Sequence, residues 1–110
     1  MYNPDLKRGS LELLILSAIE RRPLHGYEIG KLIETRSGGE LELSVSTLYS
    51  ILYRMEERGW VKGRWVEKPG ERRRCTYALT EEGARGVASQ RREWEAFSAM
   101  VDRVAGLSPA

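Results

Sequence analysis

Apolar positions along the chain repeat at two different periods, and the changes between them mark the elements. From Ser10 to Arg21, Leu11, Leu14, Ile15, Ala18 and Ile19 fall on one helical face, and Leu13 and Leu16 widen it. So broad a stripe predicts burial on two sides, one against the core and one against a partner. Pro23 ends this helix. Gly26 to Thr35 predicts a second, shorter helix through Tyr27, Ile29, Leu32 and Ile33, stopped by Gly38-Gly39. Glu40-Leu41-Glu42-Leu43 alternates, which predicts a brief strand. Ser44 is placed to cap a third helix running to about Arg58, with Gly59 just past its end. Val45, Leu48, Ile51, Leu52 and Met55 form its expected buried face, and Ser46, Thr47, Ser50 and Arg54 lie elsewhere on the circumference.

The period then drops to two. Trp60 to Val66 is rich in β-branched and aromatic residues, and Arg72 to Leu79 alternates through Arg73, Cys75, Tyr77 and Leu79. Lys68-Pro69-Gly70-Glu71 is a turn between them, so the pair reads as a hairpin carrying Lys68, Arg72, Arg73 and Arg74. The three arginines cannot share one side of a strand, and Arg73 is expected to face away from the others and pair with an acid. Thr80 caps a last helix, with Glu81 and Glu82 at the positive end of its dipole. That helix is expected to reach Val104. Val87, Trp94 and Val101 repeat every seven residues, as do Phe97 and Val104, forming a seam interrupted by Gln90. A helix overhanging so small a domain should meet a second subunit.

Composition narrows the chemistry. The 110 residues suit one folding unit, divided here into a body at 1–79 and a C-terminal helix with its tail at 80–110. No run is long and apolar enough for a bilayer, and the start does not read as a secretion signal, so a cytoplasmic location is expected. One cysteine, Cys75, and one histidine, His25, leave no internal disulfide and no ligand set for a metal. A Cys75–His25 nucleophile pair is conceivable, but a packed thiol and a helix-start histidine explain both residues without chemistry. Gly26 suits a tight turn into its helix, where Tyr27 either packs in the core or touches a phosphate. There is no phosphate-cradling glycine loop and no nucleophile elbow. Neither an enzyme nor a cofactor is expected. The net charge is only +2, yet residues 46–80 hold eight Lys/Arg against four Asp/Glu, while the flanking segments are each slightly acidic. A basic stripe of this kind suits nucleic acid, with a solvated loop as the plain alternative.

Helix, helix, short strand, helix and hairpin is the order of a winged helix-turn-helix: mainly α, with a small β-hairpin wing. The residues also carry a resemblance. Leu11-Glu12-Leu13-Leu14-Ile15-Leu16 with Pro23-Leu24-His25-Gly26-Tyr27-Glu28-Ile29 resembles the PadR-like transcriptional regulators. So do Ser46-Thr47-Leu48-Tyr49-Ser50-Ile51-Leu52, Met55 to Val61, and Arg72-Arg73-Arg74 followed by Tyr77 to Gly83. The likeness spans roughly residues 8–104 and is closest to short members with one C-terminal dimerisation helix. Ser50 departs from it, because many members have proline there. The resemblance implies a homodimeric repressor on a palindromic double-stranded operator, often released by a small molecule. On this reading Ser46, Thr47, Tyr49, Ser50, Arg54, Lys68, Arg72, Arg73 and Arg74 meet DNA. Tyr49 either reaches a phosphate or packs beneath the wing. Leu11, Ile15, Val87, Trp94, Phe97, Val101 and Val104 are the expected dimer contacts, the long helix meeting the partner's first helix. Trp94 and Phe97 either fill that seam or wall a site for a planar aromatic effector. Other readings are a winged-helix protein-interaction module without DNA binding, and a drug-binding scavenger.

Overall fold

The computed structural model describes residues 4–107, with side chains from Ser10 onward. The elements run α1 (Pro4–Ala18), β1 (Leu24–His25), α2 (Gly26–Arg36), α3 (Val45–Glu57), β2 (Val61–Val66), β3 (Arg74–Leu79) and α4 (Glu81–Ala105). The three strands form one antiparallel sheet in the order β1-β3-β2. The fold is thus mainly α with a small wing, as the patterning predicts.

Each helix after the first begins on a side chain that satisfies otherwise unpaired amides. His25 caps α2 through a reciprocal box, its Nδ1 accepting from Glu28 N–H while Glu28 Oε1 accepts from His25 N–H. Ser44 Oγ accepts from Thr47 N–H at the head of α3. Thr80 Oγ1 accepts from Gly83 N–H at the head of α4 and also donates to the Gly59 carbonyl, 2.6 Å away. Gly59 sits at φ +87°, a left-handed turn that sends the chain from α3 into β2.

The core is built from Ile15, Leu16 and Ile19 of α1 and its exit, Ile29 of α2, Leu52 and Met55 of α3, and Val87 of α4. Burying side chains of this size stabilises the fold by about 1.5–3 kcal/mol each before conformational entropy is subtracted. Trp60 locks α4 onto the wing. Its ring lies on Gly86, where a Cβ would come within 2.8 Å of three ring carbons, and the Arg58 guanidinium covers the ring 5.1 Å from its centroid. Arg91 ties α4 to the end of α1 through Glu20, at 3.0 and 3.3 Å, and through Ser17. The same guanidinium holds the Glu20 carboxyl below its ordinary range. Beyond this tie α4 leaves the body, which gives the molecule its long dimension of 58 Å against 29 and 21 Å.

Four expectations need correction. Residues 40–43 form no strand. Both edges of β3 are taken, by β1 and β2, so 40–43 has no place beside it. Leu41 and Leu43 alternate because they lean on the core, while the Ser37 hydroxyl accepts from Leu41 N–H. Val45 is not part of the buried face of α3 but 71% exposed, being one turn ahead of the point where the helix meets the core. Tyr27 is 73% exposed, which removes the option that it packs in the core. Leu11, Ile15 and Val87 are buried within the single chain, because α1 and the first turns of α4 pack against each other. These three therefore have little surface left for a partner, and the exposed part of the seam starts at Trp94.

Candidate nucleic-acid interface

α3 is held with its apolar side inward by Leu48, Ile51, Leu52 and Met55, so its opposite side is fixed as the surface. Ser46, Ser50, Tyr53 and Arg54 are exposed there. Their spacing of about one turn puts them in a single stripe along the helix. Thr47 is half-buried, and its hydroxyl accepts from Ser44 Oγ at 2.8 Å, so it belongs to the cap as well as to this surface.

Beside that stripe lies a recess of about 550 Å³ between α3, the wing and the head of α2. Its aromatic walls are Tyr27, Tyr49, Tyr53 and Trp65, and its rim carries Arg72, Arg73 and Arg74. Tyr49 is half-buried and stacks edge-on to the buried Tyr77, with centroids 6.3 Å apart, and lies 6.2 Å from Tyr53. It rests on Gly26, where a Cβ would come 2.6 Å from the phenol carbon that carries the hydroxyl. Gly26 is therefore needed for close approach between α2 and α3, and this fixes where the Tyr49 hydroxyl points. Burial raises the Tyr77 phenol above its ordinary range, aided by its hydrogen bond with Cys75, so it stays protonated.

The three arginines are held differently. Arg73 shares the strand side of Cys75 and Tyr77, pairs with Glu67 at 3.3 Å and stacks over Trp65, 4.6 Å from the ring centroid. The expected pairing of Arg73 with an acid is thus present. Arg74 lies on the other side of β3, where its Nη1 is 2.7 Å from His25 Nε2. A neutral imidazole has one acceptor nitrogen, so Arg74 competes for it with the Glu28 amide. Arg72 is exposed, as is Lys68 at the tip. Cationic, planar groups around an open aromatic recess suit a phosphate backbone, since guanidinium groups pair with phosphate oxygens and the phenols donate to them.

Among the described residues no cluster of His, Cys, Asp and Glu could hold a metal, and no helix is long and apolar enough to cross a membrane. Tyr53, Trp65 and the link from His25 to Arg74 escaped the sequence reading. Tyr53 was accessible to it, being one turn after Tyr49. Trp65 follows from the hairpin register, which sets it opposite Cys75. The link from His25 to Arg74 depends on β1 pairing with β3, with His25 opposite Thr76, which a two-residue strand does not announce.

The far end of α4 offers a second surface. Trp94 is 43% and Phe97 50% exposed, with ring centroids 6.2 Å apart. Met100, Val104 and Leu107 are exposed beyond them, and Val101 is half-buried.

Similarity to known proteins agrees with this geometry. A family model described as the transcriptional regulator PadR-like family matches residues 15–89. The solved structure of a transcriptional regulator from Clostridium thermocellum is 29% identical, with a TM-score of 0.86 over 94% of this chain and 97% of that one. A PadR family regulator from Eggerthella lenta is 28% identical, with a TM-score of 0.80 over 92% and 86%. The transcriptional regulator YqjI of Escherichia coli is 33% identical over 87 residues, which is 79% of this chain but 40% of YqjI. This chain therefore spans less than half the length of that relative. With a family match over most of its length and a near-complete structural likeness to transcriptional regulators, the chain belongs to the PadR-like family of transcriptional regulators and is not an enzyme.

Proposed function

We propose that the chain is a homodimeric, sequence-specific DNA-binding repressor that acts in the cytoplasm on a palindromic operator. One observation carries this reading: the exposed stripe Ser46, Ser50 and Arg54 on α3 adjoins the arginine-rimmed recess at the wing. With α3 in the major groove, Ser46, Thr47, Ser50 and Arg54 face base edges. Tyr49, Lys68, Arg72, Arg73 and Arg74 meet the phosphates, Arg73 by exchanging Glu67 for a phosphate oxygen. Residues 1–79 supply the DNA-binding part and 80–110 the dimerisation helix. The exposed apolar run from Trp94 to Leu107 supports the dimer, because a contiguous apolar strip on a projecting helix is costly in water. A planar aromatic effector between the two copies of Trp94 and Phe97 would release the DNA. The test is selection of bound sequences from a random DNA pool, repeated with candidate aromatic ligands. A palindromic consensus that is lost with one ligand is the expected result. Recovery of no consensus, with no retention of DNA at low salt, would leave a protein-interaction module instead.

A further inference from the structure

α3 buries every apolar aliphatic side chain it owns except one. Leu48, Ile51, Leu52 and Met55 are in the core, whereas Val45 is 71% exposed in the first turn. It rims a shallow groove of about 300 Å³ between α2 and α3, whose lining also includes Tyr27, Lys31 and Tyr49. We propose that Val45 recognises the C5-methyl group of a thymine in each operator half-site, an inference that rests on α3 lying in the major groove.

Position, chemistry and stiffness agree on this. Residues at the N-terminal end of a recognition helix are those that reach base edges. The polar side chains of that turn form a local network: Ser44 Oγ serves Thr47 N–H and the Thr47 hydroxyl, and lies 3.4 Å from Ser46 Oγ. Val45 has no polar atom to satisfy, and the thymine methyl is the apolar group that the major groove displays. A β-branched side chain in a helix is held near one rotamer, so its methyl groups are aimed before DNA arrives and little freedom is lost on contact. Tyr27 and Lys31, on the other rim, present an aromatic ring with a hydroxyl and a cation toward the same side, suited to the adjoining backbone.

The probe is the operator recovered by random-pool selection, with each thymine replaced in turn by uracil. This exchange removes the methyl group and keeps base pairing. The full-length wild type should show one symmetric position at which uracil weakens binding about fourfold per half-site, the worth of one buried methyl-sized group. Val45→Ala should bind the thymine and uracil forms nearly equally. Val45 is outside the core, and the wild-type comparison stands without any variant. Equal binding of thymine and uracil at every position, with specific binding otherwise intact, would overturn the assignment of Val45 alone. The same uracil sensitivity in Val45→Ala would also overturn it, since another residue would then read the methyl. Absence of any selected sequence would overturn the DNA reading, and this inference with it.

Discussion

In the proposed interface, individual side chains at the wing and on α3 would divide the work of binding in ways that separate experimentally. Arg72 and Arg74 are both exposed, Arg74 beside His25, and both line the recess at the wing. Each neutralised phosphate contributes about −0.9 to the slope of log affinity against log salt. Replacing both with alanine should flatten that slope by roughly two to four in the dimer and weaken all sequences alike. A salt titration of the double variant checks this, and an unchanged slope would take the wing out of the interface. Arg54 should behave differently, because it stands on the exposed stripe of α3 with Ser46 and Ser50. Arg54→Ala should relax the preference at one operator base by about 1–3 kcal/mol. Uniform weakening across operator variants would make Arg54 a phosphate contact. The polar members of this surface were legible in the sequence, since a helix with a defined apolar face fixes its opposite face. Val45 was not, because helical periodicity says which side a residue is on and not where along the axis the core stops.

Among the elements, α3 and α4 were readable because each carries its own start signal, whereas α1 runs from Pro4 to Ala18 and not from Ser10 to Arg21 as its apolar stripe predicts. Ser44 and Thr80 lie one residue before α3 and α4, and both cap as expected. The sheet was less readable. Strand β1 has two residues and exists only through its pairing with β3, whereas 40–43 has the right alternation but pairs with no strand among the described residues. Strand identity is thus a property of the pair, and one segment's pattern cannot supply it. The glycines give a matched test of element packing. In α2, Gly30 has helical neighbours and one ordinary contact for a new Cβ, at 3.9 Å from Leu48. Gly30→Ala should stabilise the fold by about 0.4–1 kcal/mol through the unfolded chain and helix propensity. In α4, Gly86→Ala gains the same propensity but drives its Cβ into the Trp60 ring. Overpacking costs about 1–3 kcal/mol, so the net effect should be destabilising. Denaturant melts of the two variants should move in opposite directions. A stabilised Gly86→Ala would mean that Trp60 is free to withdraw from α4.

For the whole molecule, the body and the projecting helix make different demands. Leu11, Ile15 and Val87 are buried in the single chain, while Trp94, Phe97, Met100, Val104 and Leu107 remain exposed, as the proposed dimer requires. The melting temperature should therefore rise with protein concentration, and a stable folded monomer at micromolar concentration by sedimentation would contradict the dimer. In the dimer the two α3 helices should sit about 34 Å apart, one turn of DNA. In the proposed dimer the angle between the long helices would set that distance, which is how the proposed effector would act. Trp94 and Phe97 lie with ring planes 42° apart, so each chain offers an angled aromatic wall and not a flat one. Two such walls facing across a two-fold axis leave a wedge that a planar aromatic compound can fill by stacking. Filling it favours one splay of the helices, and DNA is released only if that splay is the one that mismatches the operator. Trp60 and Trp65 fluoresce too, but both belong to the body, so the informative comparison is between wild type and Trp94→Leu. A planar ligand should quench the wild type and lower its DNA affinity, and do neither in Trp94→Leu, which keeps an apolar seam. Equal quenching in both proteins, or binding that leaves DNA affinity unchanged, would make Trp94 a packing residue of the dimer and place any effector elsewhere.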